Sequence, residues 1–137
     1  MSVHFNIVKA LVDSVLNLGL PQLAGVPVEA PNTDISPYPS LWLKASVIPN
    51  ECYPVTLGVD GDDNHNGLLQ IDINVPINTG DGLINNIAGE IKKLYPAGRN
   101  ISPVVVASSS ISPARIVGSN YRISVTVTYY SRIARSA

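Results

Sequence analysis

Charge is what this chain has least of. Lys, Arg, Asp and Glu together make up 14% of its 137 residues, against about 25% in ordinary soluble domains. Nine basic and ten acidic side chains leave a net charge of −1. That balance argues against the basic excess or stripe with which proteins grip nucleic acid. Only the C-terminal stretch leans basic, through Arg115, Arg122, Arg132 and Arg135. Cysteine is nearly absent. The single Cys52 excludes an intrachain disulfide and any multi-cysteine zinc site, which suits a reducing compartment without requiring one. Histidine occurs twice, as His4 and His65, and neither sits in an H-E-x-x-H or C-x-x-C arrangement. No stretch approaches the roughly 18 to 20 apolar residues that cross a bilayer. The opening Met1–Phe5 shows neither a basic n-region nor a continuous apolar core, so the protein is expected to stay where it is made unless packaged into something larger.

What is present suffices for one domain spanning residues 1–137. Hydrophobic residues make up 45%, and a chain of this length buries roughly two-thirds of its extended surface without staples or metal. Ser, Thr, Asn, Gly and Pro fill the place of the missing charges. Such an exterior fits a protein that gives up surface to neighbours, and equally a secreted module.

Hydrophobic spacing predicts helices at two places. Val8, Leu11, Val12, Val15 and Leu18 recur at three and four positions behind a capping Ser2, with Gly19 and Pro21 as the stop. Later, Leu83, Ile84, Ile87, Ile91 and Leu94 form a second stripe. Asp81 is the expected cap there, Lys92 and Lys93 suit the C-terminal dipole, and Pro96 and Gly98 end the helix. Between these lie strands. Leu41–Ile48 alternates and stops at Pro49, Val55–Val59 reads as a short strand, and Leu68–Val75 is the clearest strand. There Leu69, Ile71, Ile73 and Val75 face inward, against Gln70, Asp72 and Asn74 outward. Val104–Ala107 and an edge segment from Ile111 to Val117 follow. In the final strand Tyr121, Ile123, Val125, Val127 and Tyr129 alternate with Arg122, Ser124, Thr126, Thr128 and Tyr130. Residues 21–39, with five prolines, read as an extended arm, and residues 60–67 as a loop. The order helix, loop, strands, helix, strands predicts an α+β fold, a mostly antiparallel sheet with two helices packed on one face.

The search for chemistry returns little. Asp60, Asp62 and Asn64 match the first ligand positions of a calcium loop, but His65 stands where glycine is needed and Ile71 where the bidentate Glu belongs. A Cys52–His65 nucleophile pair has no local support, and no nucleophile elbow, phosphate loop or dinucleotide fingerprint occurs. Asp72 and Asp81 lack obvious acid–base partners. The expectation is therefore no enzyme, no catalytic residue, no cofactor and no metal. Large amphipathic rings are the better candidates for function, as interface anchors: Trp42, Tyr53 and Tyr130, with Tyr129 equally suited to ordinary sheet packing.

The middle of the chain resembles a known family. Val55-Thr56-Leu57-Gly58, then Asn66 through Pro76 (N-G-L-L-Q-I-D-I-N-V-P), then Thr79-Gly80 resemble the central signature of phage tail terminator proteins. A strand of that type ends in proline and leads through a glycine turn into an amphipathic helix, as Leu94-Tyr95-Pro96-Ala97-Gly98 then closes it. The flanking helix, the proline-rich approach and the last strand follow the same order. The resemblance implies a virion protein at the head-proximal end of the tail, made in the host cytoplasm. It implies a ring, commonly of six subunits, that caps the tail tube and stops its polymerisation. The implied partners are copies of itself, the major tail tube protein and the head–tail connector. DNA would pass through without specific binding, and no membrane is involved. On this reading the arm and the loop touch neighbours, which adds Asp60, Asp62, His65 and Arg122 to the candidate interface residues. The alternatives are another head–tail completion protein or a small adhesion module.

Overall fold

The computed structural model describes residues 2–80 and 82–135. The expected cap Asp81 lies outside the described residues. Helix α1 (Val3–Leu16) starts where Ser2 Oγ accepts the Phe5 N–H at 3.0 Å and ends at Asn17. It buries Ile7, Leu11 and Val15, spaced four apart and therefore on one face. Helix α2 (Gly82–Lys93) buries Ile84, Ile87, Ala88 and Ile91. Leu83, expected in that stripe, is exposed, because the stripe follows the spacing of Ile84, Ile87 and Ile91 and leaves its neighbour outside. Just past the helix Tyr95 is fully buried, and its hydroxyl meets Ser14 Oγ at 2.8 Å, joining the two helices. Burial raises the Tyr95 phenol above its usual pKa, opposed by the Ser14 hydrogen bond and by Arg99, whose guanidinium lies 5.0 Å over the ring.

The sheet comprises β1 (Val28–Glu29), β2 (Trp42–Pro54), β3 (Asp62–Pro76), β4 (Asn100–Ile101), β5 (Val104–Ile111), β6 (Arg115–Val117) and β7 (Asn120–Ala134). Its order is β1-β2-β3-β7-β5-β4, with β6 pairing β7. All pairings are antiparallel except β1 with β2, so the α+β expectation stands with a mixed sheet. Register explains the core. Leu43, Ile73 and Ile123 lie opposite one another, as do Ala45, Ile71 and Val125. With period two these rows share the face that both helices cover, and all six side chains are buried in the same cluster as the helix stripes. Each such aliphatic side chain larger than alanine contributes about 1.5–3 kcal/mol by leaving water.

Three expectations change at this level. Pro49 does not end its strand. Beyond Lys44, β2 pairs only with β3, and an edge tolerates proline, so the strand continues to Pro54 past a register shift between Pro49 and Cys52. Residues 62–67 are strand rather than loop, and the connection is residues 55–61, the place expected to be a short strand. The segment 21–39 is not a free arm. It contains a 3-10 turn (Pro21–Leu23) and β1, and Leu23, Val26 and Val28 pack against the core.

Candidate assembly interface

On the tip side of Gly67, β2, β3 and β7 continue as an arm that ends in the 55–61 loop. Here the backbone is held from an unexpected side. Arg135, just past β7, sends its guanidinium into the loop. It donates to the carbonyls of Thr56 (2.5 Å), Gly58 (3.0 Å) and Asp62 (3.2 Å) and pairs with Asp63 Oδ1 at 2.6 Å. The Asp62 N–H donates to Thr56 Oγ1 at 2.7 Å, and Gly61 N–H reaches Gly58 O at 3.1 Å. Gly61 has to be glycine, since a Cβ would collide with the Arg135 guanidinium and the Thr56 carbonyl. On this support Leu57 is 94% and Val59 84% exposed, with Tyr53 and Val55 exposed beside them. Single exposed apolar residues are ordinary, but here four of them lie together on a pinned tip.

The sheet face away from the helices has two parts. Toward the tip, exposed Ile48 and Tyr130 lie among Leu68, Thr126 and Thr128, with no charge in these rows. Toward the other end lies a buried polar network. Asp72 is 3% and Asn74 0% exposed, although both were expected to point to solvent. Ser124 Oγ donates to Asp72 Oδ1 at 2.5 Å and Gln70 Nε2 does so at 2.9 Å. Arg122 Nε donates to Asn74 Oδ1 at 2.6 Å, and its Nη1 lies 3.8 Å from Asp72 Oδ2. The partners explain the burial, since buried polar groups persist when hydrogen-bonded.

The structure separates the candidate interface residues. Tyr53, Asp60 and Tyr130 are exposed. Asp62 is half-buried and pairs with Arg132 at 3.7 Å. Trp42 is not a surface anchor. It is 3% exposed, stacked beneath Tyr38 at 4.2 Å because the proline-rich segment folds back over it. The Tyr38 hydroxyl donates to Glu29 Oε2 at 2.6 Å, and this bond is the chief reason its pKa is pushed up to about 12. Arg122 is likewise turned inward, onto Asn74 and Asp72. Of the four C-terminal arginines, Arg122, Arg132 and Arg135 each face a carboxylate, so they form no free basic stripe. The exposure of Leu57 and Val59 was not expected from the alternating pattern, which read this segment as a strand. The flanking Gly58 and Gly61 were the available sign of a turn there.

His65 is half-buried and is the cross-strand partner of Cys52. Their Sγ and Nε2 atoms are 3.7 Å apart, and a carboxylate oxygen of Asp63 completes a group of donor atoms within 4.8 Å of one another.

Comparison with known proteins covers most of the chain. The family model described as phage tail terminator protein matches residues 6–129. A solved structure without a functional name aligns with TM-score 0.64 at 19% identity, covering 90% of this chain and 94% of that one. At that identity the likeness concerns the fold alone. Among curated proteins none matches.

Proposed function

The chain belongs to the phage tail terminator family, and from that premise we propose that it forms a ring, of six subunits, that caps the tail tube. The ring ends tube polymerisation and offers its other side to the head connector. The family makes the protein a structural component of the phage tail. The finer reading is carried by the tip, where Leu57 and Val59 stand almost wholly in water on a backbone clamped by Arg135. Solvent exposure of two large apolar side chains is unfavourable in the isolated chain and is relieved when they enter a neighbouring subunit or the tube. A closed ring needs such heterologous contacts, one surface fitting a different surface on the next copy. The weakly charged sheet face around Tyr130 suits the same use. The pairing of Arg122, Arg132 and Arg135 with Asp72, Asp62 and Asp63 supports an opening through which DNA passes without specific binding.

The test has two readouts, light scattering across concentrations and the length of tail tubes polymerised with the protein present. The expected wild-type result is a discrete species at six times the 14.6 kDa chain mass, or tubes of arrested length. Leu57→Ser with Val59→Ser keeps the fold and weakens the contact. Each substitution removes about 1.5–3 kcal/mol of burial, roughly 10- to 100-fold in affinity. A wild-type protein that stays monomeric at every concentration and leaves tube length unchanged would overturn the reading.

A further inference from the structure

We propose that the Cys52, Asp63 and His65 cluster, at the foot of the tip, is a binding site for a divalent transition ion of the zinc type. The topology makes the site. Cys52 and His65 are opposite one another in the β2–β3 ladder, and Asp63 lies two residues from His65, so period two brings its side chain to the same face. The arrangement is invisible in one dimension, because Cys52 and His65 are 13 residues apart with no ligand motif between them.

The spacing of the Cys52–His65 pair fits the ion. Zinc binds thiolate sulfur at about 2.3 Å and imidazole nitrogen at about 2.0–2.1 Å with tetrahedral angles, which places the two donor atoms about 3.6 Å apart. In the structure they are 3.7 Å apart, and the Asp63 carboxylate, within 4.8 Å of both, closes onto the ion by side-chain rotation. A thiolate with an imidazole selects zinc, cobalt or copper over magnesium or calcium. The thiolate offsets part of the charge of a divalent ion, the Asp63 carboxylate being shared with Arg135, and the thiol proton leaves to solvent on coordination. Arg135 holds one oxygen of Asp63 at 2.6 Å, orienting the carboxylate as hydrogen bonds to metal-ligating groups do. Beside the cluster a cleft of about 440 Å³, lined in part by Cys52, Asp63, Thr56 and Leu57, leaves room for water as a fourth ligand. Bound there, the ion clips β2 to β3 at the foot of the tip.

Every ligand comes from one chain, so the test is independent of ring formation. The full-length chain, reduced and stripped with chelator, is titrated with Co²⁺. The expected result is one equivalent bound, with the visible bands of tetrahedral cobalt, a thiolate-to-cobalt charge-transfer band, and displacement of both by Zn²⁺. Cys52→Ser and His65→Ala each abolish the bands, and Asp63→Asn weakens binding about tenfold or more. Cys52 is exposed, so its replacement leaves the core intact, as circular dichroism checks. Zinc at one hundred times its Kd favours the folded state about 100-fold, raising the melting temperature of the wild type but not of Cys52→Ser. Absence of cobalt bands at millimolar metal overturns the proposal. So do bands that survive His65→Ala, which mark adventitious binding to a thiol alone.

Discussion

Replacing Arg122 by Met removes its guanidinium while keeping most of the apolar stem, and it probes whether the face away from the helices is a prefolded support. Two groups lose a partner. Asn74, fully buried, loses the donor to its Oδ1 at 2.6 Å, and an orphaned buried acceptor costs about 1–3 kcal/mol. Asp72 loses the cation 3.8 Å away. Breaking a buried pair costs about 3–5 kcal/mol when one charge is left bare, but Asp72 keeps donors from Ser124 and Gln70. The Arg122 side chain is also 16% exposed, so water reaches the site. The expected destabilisation is therefore about 2–4 kcal/mol. It is read from urea unfolding at one fixed protein concentration, since self-association shifts apparent stability. Asp72→Asn and the double variant complete a cycle, with an expected coupling of about 1–3 kcal/mol. A loss below about 0.5 kcal/mol, the range of ordinary surface substitutions, would refute the reasoning, as would additivity of the two changes.

Gly67→Ala brings a Cβ within 2.5 Å of the Ile48 carbonyl and 2.7 Å of the Tyr129 hydroxyl. The resulting shift of backbone costs about 1–3 kcal/mol, and a melting temperature equal to wild type would contradict it. The Tyr38–Glu29 bond predicts a pH dependence. Because the folded-state pKa of Tyr38 is raised from 10.0 to about 12, its contribution is complete below pH 10 and is lost as pH rises through about 12. The stability gap between wild type and Tyr38→Phe should close over that window, and a gap independent of pH would count against the bond.

The helix-covered half of the fold was legible because alternation there has one meaning. Leu69, Ile71, Ile73 and Val75 face apolar partners in β2, β7 and the helices, so period and burial agree. The other face was misread at Asp72, Asn74 and Trp42 for a common reason. Polarity placed them away from the helices, which is correct, but whether that side is open depends on residues far along the chain. Arg122 and Ser124 satisfy Asp72, and Tyr38 covers Trp42. Local pattern carries no information about such partners.

The arm inverts the ordinary rules, and its two misreadings share one cause. Val55–Val59 has the alternating apolar spacing of a strand, while Asp60–Gly67 has the composition of a turn. In the structure their roles are exchanged, because β7 runs on to Ala134 and pairs with Asp62–Gly67, overriding propensity. Arg132 and Arg135 then answer Asp62 and Asp63, so the acidic residues sit in a ladder with their charges paired. The turn is pushed back onto residues 55–61, and Arg135 holds the Gly58 and Thr56 carbonyls from 77 and 79 residues away in sequence. The consequence is physical. A loop of Gly, Asp and Asn would be soft and polar at its tip, whereas this one presents Leu57 and Val59 on a clamped backbone. Less ordering entropy remains to be lost when the tip meets a partner. On the proposed ring reading the apolar side chains serve the tip's contact, and Arg135 keeps the backbone that presents them in place.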